Sequence, residues 1–154
     1  MMGGDPLLSG FEDPEEFGFE TRAIRAGQPH DARTGGVVTP IAMATTFAQD
    51  APGSPKNGYE YSRTGNPTRH AYEACVASLE GAQFGFAFAS GLSAEDAIFR
   101  QLPHGSQILL GNDAYGGTFR LIDSVHGKKS GLANAAVDLT KPSEIEEAWT
   151  PDTK

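Results

Sequence analysis

An α/β fold with a largely parallel sheet is what this sequence predicts, on three observations. From Thr68 onward the helical and strand periodicities alternate as helix, strand, helix, strand, helix, strand, helix, the order of a layered α/β domain. Small turn residues, Ser90-Gly91 and the loop 111–117, stand where strands hand over to helices, as in open parallel sheets. The 154-residue length suits one ordinary domain, and a 38 % hydrophobic fraction is enough for a core. The predicted strands are few for such a sheet, so the sheet is expected to be incomplete. Two regions result: an acidic arm with a long loop over 1–67, and a partial α/β domain over 68–154.

The elements follow in order. Residues 1–20 hold Asp5, Glu12, Asp13, Glu15, Glu16 and Glu20 without a Lys or Arg, which reads as an acidic arm, either solvated or laid on a partner. Residues 20–26 suit a short helix stopped by Gly27. The stretch 28–67 carries Gly35-Gly36, Pro40, Pro52-Gly53, Pro55, Asn57-Gly58, Gly65 and Pro67, and so reads as a long irregular segment, uncommon unless functional. Thr68 is the expected N-cap of a helix with Tyr72, Cys75, Val76 and Leu79 on one buried face and Gly81 at its end. Phe84, Phe86 and Phe88 alternate with small residues, the period of a strand. Ser93 and Asp96 match a capping box for a helix over 94–102, closed by Pro103-His104-Gly105. Strands are expected over 106–110 and 135–139 and a helix over 118–125. Ser143 and Glu146 match a second capping box.

Composition excludes several classes of function. With 12 basic against 20 acidic residues the formal charge is −8, which repels a nucleic-acid backbone. No apolar run approaches the length of a membrane span, and the first residues have neither the basic start nor the apolar stretch of a secretory signal. One cysteine, Cys75, allows no internal disulfide, and it reads as an inert thiol on an apolar helix face; a reducing cytoplasm is the expected setting. His30, His70, His104 and His126 lack metal-ligand spacing, so no metal is expected. Neither Gly-rich nucleotide fingerprint occurs, nor a hydrolase elbow, which argues against a stand-alone nucleotide-binding module.

Three segments carry residues suited to chemistry. Ser90 and Gly91 open a helix, where free N–H groups and the helix dipole favour an anion; plain turn chemistry explains the same pair. Tyr61 and Arg63 share a polar loop before a helix, and a guanidinium clamps phosphate bidentately; a solvated loop explains them equally. Tyr115 lies between small residues at the carboxyl end of a predicted strand, where open α/β sheets bind ligands and a ring can stack. Arg120 is within reach of a carboxylate nearby. A half-buried structural Tyr and a surface Arg are the alternative.

Together the strings TRAIRAGQ, VVTPIAMATTF, YEYSRTGNPTR, LEGA, FASGLSAEDA and NDAYGGTFRLID resemble the Cys/Met-metabolism family of pyridoxal-phosphate enzymes. That family includes cystathionine γ-synthase, cystathionine γ-lyase and the homoserine sulfhydrylases. The similarity covers residues 20 to about 123 and continues more weakly to Lys154; within the family it is most similar to a bacterial cystathionine γ-synthase. The resemblance implies the arm and first part of the large domain of a fold type I, aspartate-aminotransferase-like enzyme. It implies that Tyr61 and Arg63 bind the phosphate of pyridoxal 5'-phosphate in a neighbouring subunit. Ser90, Gly91 and Leu92 would hold the same phosphate within their own subunit. Tyr115 would stack on the pyridine ring and serve in proton transfer, and Arg120 would contact the substrate. Also implied are γ-replacement on an O-acylated homoserine by cysteine, a role in methionine biosynthesis, and a homo-oligomer, usually a tetramer, with shared sites. The Schiff-base lysine, the Asp partner of the pyridinium and the C-terminal domain are expected beyond Lys154, so the chain alone is expected to be inactive. Cystathionine γ-lyase, O-acylhomoserine sulfhydrylase and an inactive truncated chain are the alternatives.

Overall fold

The computed structural model describes residues 17–154, so the acidic arm up to residue 16 lies outside the described residues. The chain forms two compact units that divide between Ala87 and Phe88.

In the first unit helix α1, Phe19–Arg25, lies against helix α2, Pro67–Leu79. Arg22 Nη1 donates to the Ser78 carbonyl, and Cys75 Sγ sits 3.8 Å from the Ala23 carbonyl oxygen. Gly27 allows the exit from α1: its φ is +72°, and a Cβ there would stand 2.2 Å from the Ala71 carbonyl oxygen. The α2 face turned to α1 is therefore the small one, Ala71, Ala74, Cys75 and Ser78. This corrects the expected core face, because Tyr72 is 62 % exposed while Ala77 is buried. Cys75 is only half-buried.

The stretch before α2 is more ordered than its Gly and Pro content predicts. Strands β1, Gln49–Ala51, and β2, Ser54–Pro55, form a short antiparallel hairpin. Its arms stay together through the Phe47 N–H to Glu60 O bond at 3.0 Å, the Ser62 N–H to Thr45 O bond at 2.8 Å and a Thr46–Tyr61 bridge. Helix α2 is capped by Asn66, whose side chain accepts from the Thr68 and Arg69 N–H groups, and not by Thr68. Pro67 fits the first helical position because it has no N–H to satisfy. The Thr68 hydroxyl instead accepts from Ala42 N–H at 2.8 Å and donates to the Pro40 carbonyl at 3.2 Å, tying down the segment before the hairpin. The strand expected over 84–88 does not form. Phe84 and Phe86 are 68 % and 78 % exposed, and Glu73 holds this segment through the Ala87 N–H, 2.9 Å. Alternation fixes which residues share a face, but a strand also needs a ladder partner, and none pairs here among the described residues.

In the second unit β3, Gln107–Gly111, and β4, Ala133–Val137, pair in parallel from Gln107↔Ala133 to Gly111↔Val137. On its other edge Gln107 forms a parallel bridge to Thr153. Helix α3 is Gly91–Phe99, capped by Ser90, three residues earlier than the expected box at Ser93. The helix expected over 118–125 is longer. It runs as α4, Gly116–Arg120, through a π-helical stretch, Leu121–His126, into α5, Gly127–Ser130, where Gly131 at φ +65° ends it. Ile122 is fully buried, with His126, Leu132 and Val137 around the core. Helix α6, Pro142–Ala148, has Lys141 at its N-cap with no side-chain cap bond, so the Ser143–Glu146 box is not made. Glu144 reaches back to the Asp138 N–H at 3.0 Å, and Lys141 Nζ bridges Glu144 at 2.9 Å and Asp138 at 3.2 Å. No helix among the described residues is long and apolar enough to cross a membrane.

Candidate functional site

The second unit brings four of the expected residues together. Ser90 has extended backbone, and its hydroxyl accepts from the Ser93 N–H at 3.2 Å. Its carbonyl takes the Ala94 N–H at 3.2 Å. The next two N–H groups, those of Gly91 and Leu92, have no acceptor among the described residues. They are orphan donors at the positive end of a nine-residue helix. A Cβ on Gly91 would meet nothing within 4 Å, so the approach to these donors is open.

Tyr115 sits beside them at the start of α4. Its carbonyl accepts the Thr118 N–H at 2.9 Å, while the side chain takes no part in capping and the residue is 69 % exposed. The ring lies against Gly117. A Cβ there would come 2.3 Å from Tyr115 Cε1 and 3.1 Å from Leu92 Cδ1. The side chains of Leu92 and Tyr115 thus share the space that a larger residue at 117 would fill. Arg120 is exposed, with Nη1 at 3.4 Å from a Cβ built on Gly116, and it has no ion pair among the described residues.

Tyr61 and Arg63 belong to the first unit. The Tyr61 carbonyl accepts from Thr64 N–H, Gly65 N–H and the Thr64 hydroxyl at 2.8 to 3.0 Å, a tight turn that presents the next residues outward. Arg69 braces this turn from α2 through the Ser62 carbonyl at 3.0 Å. The Arg63 guanidinium stands 5.1 Å from the centre of the Tyr61 ring, a cation–π pairing that leaves its N–H donors uncommitted. Among the described residues neither the Tyr61 hydroxyl nor that guanidinium has a hydrogen-bond or ion-pair partner.

The contacts of one face of α3 escaped the sequence reading. Leu92, Glu95, Asp96 and Phe99 follow the i, i+3, i+4, i+7 pattern of one helical face. That face carries two carboxylates, and this was the legible clue. Glu95 Oε1 accepts from the Thr118 hydroxyl at 3.0 Å, and Asp96 Oδ1 lies 2.8 Å from His126 Nε2. Arg100, followed by His126, holds the Asp96 carboxyl below its ordinary range. No group of three or more metal-binding side chains occurs among the described residues.

The second unit offers backbone N–H groups with a hydroxyl beside an exposed aromatic face, a set that suits a phosphorylated aromatic ring, as pyridoxal 5'-phosphate is. The first unit, taken by itself, offers a phenol and a guanidinium, which suit an anion. Comparison with known proteins gives the same answer. A cystathionine β-lyase of Coxiella burnetii is 49 % identical over 135 residues, covering 88 % of this chain and 35 % of that protein. A probable cystathionine γ-synthase of Herpetosiphon aurantiacus is 42 % identical over 139 residues, covering 90 % and 43 %. The crystal structure of metB from Corynebacterium glutamicum superposes with a TM-score of 0.85 at 49 % identity, over 93 % of this chain and 37 % of that one. The chain thus spans well under half the length of the relatives it matches. The model of the Cys/Met metabolism PLP-dependent enzymes matches residues 20–154, and the chain belongs to that family.

Proposed function

We propose that this chain forms part of a pyridoxal-phosphate-dependent transsulfuration enzyme of the cystathionine γ-synthase type, joining an O-acylated homoserine to cysteine by γ-replacement. The observation that carries the cofactor reading is the pair of open, acceptor-free N–H groups at Gly91 and Leu92 beside the exposed Tyr115 ring. In this reading Ser90, Gly91 and Leu92 hold the phosphate. Tyr61 and Arg63 add a phenol and a guanidinium to a neighbouring subunit's site, which makes the working unit an oligomer. Tyr115 lies along the ring and moves a proton at its phenolic oxygen, and Arg120 receives the substrate carboxylate. Bound cofactor supplies the electron sink, and the protein groups bind, orient and exchange protons.

A second reading, cleavage of cystathionine, is favoured by the 49 % identity to a cystathionine β-lyase against 42 % to a probable γ-synthase. One experiment separates the two. The protein carrying this chain, at its full encoded length, is titrated with pyridoxal 5'-phosphate. It is then assayed for cystathionine formation from an O-acylated homoserine and cysteine, and for thiol release from cystathionine. The proposed reading predicts cofactor uptake and net cystathionine formation. Thiol release alone overturns the synthase assignment in favour of the lyase, and no uptake overturns both. Arg63→Ala is expected to weaken cofactor binding about tenfold or more, the loss of a charge-assisted bond; unchanged affinity removes Arg63 from the phosphate site.

A further inference from the structure

From the contacts of α3 we infer that Glu95 and Asp96 are positioning residues, which fix the Tyr115 ring against the anion-binding turn through Thr118 and His126. The inference rests on the cofactor reading above and adds to it a supporting shell of residues.

The anion donors and the ring sit at the N-terminal ends of two different helices, α3 and α4. Their spacing is therefore set by how those helices lock together. One face of α3 does this along its whole length. Leu92 touches the space over Gly117, Glu95 bonds Thr118, Asp96 bonds His126, and Phe99 meets the His126 ring edge-on at 5.8 Å and 82°. Apolar contacts alone would tolerate sliding, because they are non-directional. Two hydrogen bonds from adjacent residues, which leave the helix about 100° apart, add directional constraints that apolar contacts lack.

The π-helical stretch makes this double attachment possible. If every residue turned by about 100°, His126 would lie about 80° around the helix from Thr118. The wider π turns advance by less than about 100° per residue, which brings the two side chains closer to one face. Such stretches cost hydrogen-bond geometry and are frequent at functional sites. The chemistry of the groups points the same way. Glu95 Oε2 is buried without a hydrogen-bond partner among the described residues, so the Thr118 bond is that carboxylate's polar anchor. His126 is buried on the Asp96 side.

The test uses the full-length protein and compares Thr118→Val, which keeps the shape but loses the hydroxyl, with Thr118→Ser, which restores it. The readouts are the dissociation constant for pyridoxal 5'-phosphate, the circular dichroism induced in the bound cofactor, and the thermal midpoint. A positioning role predicts that Thr118→Val weakens cofactor binding about tenfold and diminishes the induced signal. Thr118→Ser stays within about twofold of the parent. A purely structural role would lower the thermal midpoint and leave the induced signal unchanged, and that result overturns the inference. If Thr118→Val does not fold, Glu95→Leu against Glu95→Gln is read in the same way. A parent protein that takes up no cofactor overturns the cofactor reading, and this inference with it. A parent that binds normally while Thr118→Val matches it overturns the inference alone.

Discussion

Gly117 decides where the Tyr115 ring can lie, because a single added carbon would occupy the place of its edge. The obstacle is the end of an exposed side chain, so the ring can swing outward without moving the backbone. Gly117 is the second residue of α4, so the helix-interior preference for Ala over Gly, about 0.5–1 kcal/mol, is the upper limit of what propensity offsets. Gly117→Ala is therefore expected to change stability by less than about 1 kcal/mol and yet to weaken cofactor binding, with Tyr115 displaced from its station beside Leu92. Thermal unfolding and a cofactor titration on the same samples check this. A normal titration in Gly117→Ala would separate the ring's position from cofactor binding. Tyr115→Phe asks about the hydroxyl alone, because the ring and its contact with Gly117 remain. It should lower kcat more than cofactor affinity, and an unchanged kcat assigns the proton to another group.

At the scale of elements, carboxylates fasten both α3 and the start of α6, and acid should loosen both. Asp96 is held below its ordinary value of 3.8 by Arg100 and then His126. Asp138 is lowered through Thr140, and Glu144, ordinarily at 4.5, through the Asp138 N–H. A carboxyl with a depressed folded pKa contributes its stability above the ordinary value and loses it as pH falls through the folded one. Unfolding by denaturant, followed by circular dichroism, should therefore become easier between about pH 5 and pH 2. Asp96→Asn with Glu144→Gln should flatten that dependence, and an identical slope in the double variant places the acid sensitivity elsewhere. These fastenings also show what was legible in the sequence. Periodicity located α2, α3, β3 and β4 to within a few residues, because burial of one face imposes it. The capping residues were missed together, at Asn66, Ser90 and Lys141. In each case a Ser or Thr just inside the helix matches a capping template, yet the chain turns helical before it. The proposed anion donors were picked out by motif strings. Their Glu95–Thr118 and Asp96–His126 supports were not, because that register depends on a π stretch that no residue pattern announces.

Across the whole molecule, charge and exposed apolar surface make opposing demands, and magnitudes decide between them. The first unit leaves Val37, Val38, Ile41 and Met43 exposed close together in sequence, Met43 at 86 %, and the second exposes Phe88, Ile98 and Trp149. Burying about 600 Å² of such surface favours association by about 15 kcal/mol before losses of rotational freedom, at about 25 cal/mol per Å². Repulsion arises from a formal charge of −8. In water it amounts to about 1 kcal/mol for a pair of charges at 4 Å and falls away beyond a Debye length of about 8 Å at physiological salt. The apolar gain therefore outweighs the charge repulsion, as the shared-site assembly proposed above also requires. The 154-residue chain by itself is expected to scatter light as a species heavier than its 16.3 kDa. Its association should strengthen as salt rises from about 0.01 M to about 0.5 M, because screening removes the opposing charge and leaves the apolar term. Association that weakens with salt would mean that charge pairing, and not the apolar surface, drives it. A monodisperse monomer at every salt concentration would show that these side chains find no partner in a second copy of the chain.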